Sequence, residues 1–344
     1  MLGRLIIVFI MLSALTGLFA SFWLQNAQDS VVTSEKRIIS VANGASMRGF
    51  AEHLVKEGLL QEKWSFLIWA RYRGLAGSLK AGDYQLPADA TMQDLLQLVT
   101  SGKVIDYPVT FIEGWNFKQI RQSLANQKNL RQLIEKLDDQ AVMKEIGADG
   151  VYPEGRFYPD TYRYTATMSD IDILQQSYDK MSQLLNEEWE KREEGLPLEN
   201  KDQALVLASI IEKETGSAEE RPLIAGVFTN RLRKGMRLQT DPTVIYGMGD
   251  SYKGNIRKKD LLTDTPYNTY TRSGLPPTPI AMPGGDAIHA ALHPTDTKAL
   301  YFVARGNGQH KFSATLSEHN EAVIKYQLKG RRKNFSSYKP GDEK

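Results

Sequence analysis

Hydrophobic residues are spread unevenly along this chain. From Leu5 to Leu24, twenty residues run without a charge, Pro, Asn or Gln, and only Ser13, Thr16 and Ser21 are polar. A helix of that length, at about 1.5 Å per residue, spans roughly 30 Å, the hydrocarbon thickness of a bilayer. Arg4 and the amino terminus precede it, which predicts a cytoplasmic N-terminus, and Trp23 falls at the far interface. The competing reading is a cleaved signal peptide with Leu18-Phe19-Ala20 as its cleavage site. The apolar run exceeds the usual signal core of about 7–15 residues, which favours an uncleaved, single-pass anchor in the inner (cytoplasmic) membrane. Either way, the body from residue 25 onward is expected to be exported.

After this segment the pattern changes to short alternations and amphipathic runs. Residues 25–36 are mostly polar and read as a stalk. RIISV (37–41) alternates as a strand does. Ser46 then caps an amphipathic run Met47–Lys56 closed by Gly58, and a second run, Glu62–Tyr72, stops at Gly74. GDYQL (82–86) reads as a strand, and Thr91 caps a third helix that Gly102 ends. The order strand, helix, helix, strand over 37–103 resembles the LysM glycan-binding module, with looser spacing than is typical. A small packing domain that only positions its neighbour fits the same pattern equally well.

VIDYPVTFI (104–112) predicts a strand leading into Glu113-Gly114-Trp115, and helical periodicity dominates from there to about residue 195. The PEGRFYPDTY segment (153–162) interrupts it, being too rich in Pro and Gly for a helix. The charged stretch 189–202 reads as a solvated face. A larger mixed unit is expected over 104–328. Residues 329–344, with six basic and two acidic side chains, read as a disordered tail.

Composition narrows the functional classes. With 43 basic and 41 acidic residues the net charge is +2, too small for a nucleic-acid binder driven by bulk charge. The absence of cysteine excludes disulfides, thiolate catalysis, Fe–S clusters and Cys-based zinc sites.

The candidate chemistry lies at the end of one apolar helix, which Asp202 opens and Gly216 stops. At about 100° per residue, Leu207, Ile210, Ile211 and Glu214 share one face. A carboxyl group there is desolvated and close to the negative end of the helix dipole, so its neutral form is favoured. Such a group can donate a proton near neutral pH. Glu212 points roughly the other way. A structural ion pair between Glu214 and Arg221 or Arg231 is an equally good reading of the spacing alone. Downstream, RLQTDPTVIYG (237–247), YNTY (267–270) and the Pro/Gly-rich GLPPTPIAMPG (274–284) combine amides, hydroxyls and aromatic faces, which suit a sugar chain.

Taken in order, ASIIEKET, FTNRLRKGMRLQTDPTVIYGMG, YNTYTRSGLPPTPIAMPG and LHPTDTKALYFVARGNGQHKFS resemble the endolytic murein transglycosylases of the MltG (YceG-like) family. The resemblance covers nearly the whole chain. It implies an α+β fold: an N-terminal transmembrane helix, a small LysM-like α/β subdomain, and a larger catalytic domain with a lysozyme-like catalytic helix. It also implies that the second glutamate of EKET, Glu214, is catalytic. The substrate would be peptidoglycan glycan strands, cut at the MurNAc-β-1,4-GlcNAc bond to leave 1,6-anhydroMurNAc ends, without a cofactor or a metal. Gln239, Asp241, Tyr246, Tyr267, Asn268 and Tyr270 are the expected substrate-positioning groups. A role in ending strand growth would place the chain beside penicillin-binding proteins.

Two other classes fit parts of the pattern. One is a two-carboxylate hydrolase pairing Glu214 with Glu154, Asp160 or Asp241. The other is a tethered, non-catalytic wall-binding scaffold. His289 and His293 have the spacing of metal ligands on a helix, but no Glu follows the first His and Pro294 ends the helix, so no metal is expected there. His310 is read as touching substrate or holding a loop.

Overall fold

The computed structural model describes residues 2–328; the expected basic tail lies outside the described residues. The fold is mixed α+β, with one N-terminal apolar helix, and it divides into two compact units. The first comprises residues 1–108, 128–131 and 163–169, and the second holds the remainder.

In the first unit, α1 (Leu2–Gln28) is, among the described residues, the one helix long and apolar enough to cross a membrane. Ile7, Phe9, Ile10, Leu18 and Phe19 are all exposed on it. The segment read as a stalk is more structured than its polarity suggests. The helix continues through Gln28, Ala27 packs against the core, and β1 (Val31–Thr33) follows. The expected strands form with the expected limits: β2 (Arg37–Val41) pairs antiparallel with β3 (Gly82–Leu86), Arg37 opposite Leu86 and Val41 opposite Gly82. Between them lie α2 (Met47–Lys56) and α3 (Trp64–Tyr72). The Ser46 side chain accepts from Gly49 N–H, and the Glu62 carboxylate accepts from the first N–H groups of α3, so each helix start has a polar partner. Pairing of β4 (Ala90–Thr91) with β1 leads into α4 (Met92–Ser101), which opens on a Thr91/Asp94 capping box and ends on left-handed Gly102. Phe50, Leu54, Phe66, Tyr84, Leu95 and Leu96 form the core.

The long helical stretch expected after residue 115 is shorter and more broken. A two-stranded sheet of β5 (Tyr107–Thr110) and β6 (Thr161–Tyr164) brackets α5 (Phe117–Ala125) and α6 (Asp139–Glu145). Next come α7 (Asp170–Glu190) and α8 (Lys201–Glu214). The cap of α8 is Asn200, not Asp202: the Asn200 side chain accepts from Gln203 N–H, while Asp202 pairs with Arg156 at 2.8 Å. Then follow α9 (Arg221–Arg233), α10 (Asp241–Met248), α11 (Lys258–Leu262) and α12 (Gly285–Leu292). The hairpin β7 (Tyr301–Ala304)/β8 (His310–Ser313) and α13 (Leu316–Tyr326) complete the unit.

Helix α8 is the axis of this second unit. It packs against α7, α9, α10 and α12, and every residue from Ala204 to Ile211 is buried. Buried on all sides, it shows no single apolar stripe, and its stability comes from tertiary packing.

Candidate active site

The sequence motifs meet around the C-terminal half of α8. On one side the proline-rich loop is sewn to the helix: Ile280 N–H donates to Ser209 Oγ at 3.0 Å and Gly284 N–H to Glu212 Oε2 at 3.1 Å. The Glu113-Gly114-Trp115 segment lies along the same loop, with Gly114 N–H on Met282 O at 2.8 Å and Met282 N–H on Trp115 O at 2.7 Å. Lys213 Nζ donates to Gly114 O at 3.1 Å. Gly155, with φ +79°, approaches this loop so closely that a Cβ would stand 2.5 Å from Pro279 Cβ. Both the left-handed backbone and the contact therefore require glycine.

This arrangement separates the two glutamates of EKET by their partners, not by burial. Glu212 is largely enclosed, and burial raises its pKa. It anchors Gly284 and sits 3.6 Å from Arg221, whose guanidinium also reaches Asp286 at 3.2 Å and Glu113 at 3.7 Å. Its acceptor capacity is spent on the loop.

Glu214, half-buried, lines a cleft of about 690 Å³. Among the described residues no basic group lies within ion-pair distance of it. Arg221 is held as above. Arg231 donates to backbone carbonyls instead, Nε to Leu300 O at 2.6 Å and Nη1 to Leu238 O at 2.7 Å. The structural ion pair that the spacing allowed is thus not formed. Desolvation raises the Glu214 pKa and the charge of Asp241 adds to it, while the hydrogen bond from the Thr240 hydroxyl opposes both.

Thr240 is positioned by a strained neighbour. Gln239 has φ +49°, a left-handed conformation uncommon for a residue with a side chain. It is kept there by its own N–H on Thr269 O at 3.2 Å and by Thr240 N–H on Thr269 Oγ1 at 3.1 Å. Arg231 grips the carbonyl just before it.

The six expected positioning residues fall into three groups. Gln239, Asp241 and Tyr270 line the cleft with Glu214, and Tyr270 donates its hydroxyl to Asp241 Oδ1 at 2.6 Å. Tyr246 and Tyr267 pack edge-to-face, with centroids 4.8 Å apart, and neither lines the cleft. Tyr246 donates to Glu154 Oε2 at 3.0 Å and Tyr267 bonds Thr278 at 2.8 Å. Asn268 is 1% exposed; its amide donates to Asp260, Leu261 and Thr263 carbonyls, and its Oδ1 accepts from Tyr270 N–H, so the side chain holds its loop.

Of the other carboxylates considered as partners, Glu154 is 4% exposed and accepts from Phe117 N–H at 3.1 Å, with burial pushing its pKa up to about 7. Asp160 is bound to Lys180. The cleft also contains Arg231 and His310, both named from the sequence, and Thr240, Tyr301 and His319, which spacing could not single out. Glu220 accepts from His310 N–H at 2.8 Å and pairs with Nδ1 at 2.7 Å, across 90 positions of sequence. A hairpin His between strand-like runs was the only signal for it.

A half-buried glutamic acid in a polar cleft lined by tyrosines is the arrangement expected of a glycan-cleaving acid, and comparison with known proteins agrees. The model of the YceG-like family matches residues 39–325. The chain belongs to the YceG-like family. An endolytic murein transglycosylase of Bacillus subtilis (strain 168) is 34% identical over 84% of this chain and 84% of its own. One from Streptococcus pneumoniae (strain D39) is 27% identical over 93% of this chain, which spans 64% of that longer relative. In structure, this chain is similar to a yceG-like protein from Listeria monocytogenes, whose 2.6 Å crystal structure gives a TM-score of 0.51 at 29% identity, covering 84% of this chain and 99% of that one.

Proposed function

We propose that this member of the YceG-like family is an endolytic murein transglycosylase, a lyase that cuts the MurNAc-β-1,4-GlcNAc bond within peptidoglycan strands. The observation that carries this reading is Glu214: a carboxyl group whose pKa desolvation raises, lining the cleft, and bound by one hydroxyl instead of a cation. Glu214 protonates the leaving glycosidic oxygen as the bond to C1 breaks. As carboxylate it then accepts the proton of the muramic C6 hydroxyl while that oxygen bonds to C1. The result is a 1,6-anhydro end, with no water consumed and the acid restored. Thr240 orients the carboxyl oxygen, and its hydrogen bond strengthens when the group is ionised between the two steps. Gln239, Asp241 and Tyr270 hold the sugar rings, and the substrate's own N-acetyl group or fixed dipoles of the cleft steady the oxocarbenium-like centre.

The remaining parts follow from the same reading. Helix α1 anchors the enzyme as a single pass in the inner membrane, with the catalytic body, 104–328, in the periplasm. Residues 37–103 form a LysM-like unit, and α8 is a lysozyme-like catalytic helix. The enzyme works beside penicillin-binding proteins, ending strand growth.

Mass spectrometry of muropeptides released from purified sacculi tests the reaction. Anhydro ends support it. Products heavier by one water would mean a hydrolase, with Asp241 as the second carboxylate in the cleft. Binding without release of soluble products would leave a wall-binding scaffold.

A further inference from the structure

The helix end most distant in role from the cleft carries a second cluster of chemistry-bearing groups. His289 on α12 and His293 at its C-cap are one turn apart, and their rings stack with centroids 4.3 Å apart at 27°. The last turn of α7 brings Glu188 against them: Oε2 lies 2.7 Å from His289 Nδ1 and 3.9 Å from His293 Nε2. One ligand atom from each of the three residues lies within 4.8 Å of the others.

We infer that Glu188, His289 and His293 bind one divalent transition-metal ion of the zinc type, clamping the end of α7 to the end of α12. The donors are two imidazoles and one carboxylate, which suit zinc and its borderline neighbours, whereas magnesium and calcium prefer all-oxygen sites. Tetrahedral ligation with bonds of about 2.0–2.2 Å sets donor atoms about 3.3–3.6 Å apart, so the Glu188–His289 pair at 2.7 Å opens and the Glu188–His293 pair at 3.9 Å closes, a side-chain adjustment and not a backbone one. The backbone is already fixed. Glu193 N–H donates to Leu292 O at 3.1 Å, tying the chain just after α7 to the end of α12, and His293 N–H donates to His289 O at 2.8 Å. Glu188, with its side chain 17% exposed, has no lysine or arginine partner among the described residues. The side chain of His289 is 61% exposed, which leaves the fourth position open to water.

The site shares no residue with the cleft, so the ion is structural and takes no part in glycan chemistry. Its effect reaches the cleft indirectly. Helix α12 packs on α8, and α8 ends at Glu214. The sequence alone argued against this site because no glutamate follows His289; the carboxylate instead arrives from 101 residues earlier.

The test is isothermal titration of zinc chloride into the full-length chain in detergent, carrying no histidine tag, alongside His289→Ala, Glu188→Gln and His310→Ala. The expected result is one saturable site that weakens at least tenfold in the first two variants and is unchanged in the third. Zinc should also raise the unfolding temperature of the wild type but not of His289→Ala. No saturable binding at micromolar zinc would overturn the proposal, as would binding that His289→Ala leaves intact. In either case the Glu188–His289 contact is a hydrogen bond and nothing more.

Discussion

Thr240 donates its hydroxyl hydrogen bond to the carboxylate of Glu214, and it is the one side chain outside α8 whose hydrogen bond to that group is found among the described residues. The contact spans 26 positions and depends on the left-handed turn at Gln239. It favours the ionised form of a group that burial pushes the other way, so the two effects together set the pH range in which Glu214 carries a proton.

Glu214→Gln keeps the size of the side chain and its hydrogen bond but cannot transfer a proton. Release of soluble muropeptides from sacculi should fall by about 10²–10⁴-fold, the usual worth of general acid–base catalysis. The thermal unfolding midpoint should change little, because the carboxyl group holds no ion pair.

Thr240→Val removes the donor while leaving the backbone contacts of residue 240 to Thr243 and Thr269 in place. Loss of a hydrogen bond to the carboxylate raises the Glu214 pKa further. The alkaline limb of the pH–rate profile should therefore move to higher pH, with a lower maximal rate. A limb that stays in place or moves to lower pH would mean that Glu214 is not the titrating acid.

Glu212→Ala separates the roles of the two glutamates. It leaves the Gly284 N–H without its acceptor and removes the most enclosed of the carboxylates around Arg221. A loss of roughly 1–3 kcal/mol in urea unfolding is expected. Activity should fall by much less than in Glu214→Gln when both are assayed well below the variant's unfolding temperature.

Glu154 gives a pH signature of stability. Its pKa of about 7 in the folded chain lies above the 4.5 of a free glutamate side chain, so the folded state holds the proton longer than the unfolded one. Below about pH 4.5 both states are protonated and the group costs nothing. As pH rises from there to about 7, the unfolded chain ionises first and stability declines, by on the order of 3 kcal/mol in total. Glu154→Gln keeps an acceptor oxygen for Phe117 N–H, and its amide N–H can donate to the Tyr246 hydroxyl, which then acts as acceptor. Its stability relative to wild type should rise across that window and level off above it, as read from urea unfolding at stepped pH.

What the sequence revealed depended on range. Ser46 and Thr91 marked helix starts correctly because a cap acts within three residues, and β2 and β3 kept their expected limits because alternation is local. Asn200 took the capping position expected of Asp202, since the helix begins two residues earlier than its apolar pattern. The stripe argument pointed to Glu214 for an incomplete reason, because α8 is buried on all sides and Glu212 is also largely enclosed. Only the loop anchored at Gly284 distinguishes them, from 72 positions away. Tyr246 and Tyr267 share a motif-rich region with Tyr270, but their hydroxyls go to Glu154 and Thr278, pairings no spacing rule predicts.

Ser209 and Glu212 have a mechanical consequence as well as a chemical one. By fastening the 280–284 loop to α8 they make that side of the molecule stiff, since moving it would break two hydrogen bonds to a fully packed helix. The cleft itself is lined not by that loop but by the 236–241 segment, Tyr270, the β7/β8 hairpin and α13, with Glu214 at the end of α8. A polymer entering the cleft therefore meets a proton donor carried on a fully packed helix and a wall that includes a hairpin of two strands. Amide hydrogen exchange should be slow through 205–212 and faster through 301–320, so that any adjustment to strands of different thickness falls on the hairpin and α13 while the proton donor stays in place.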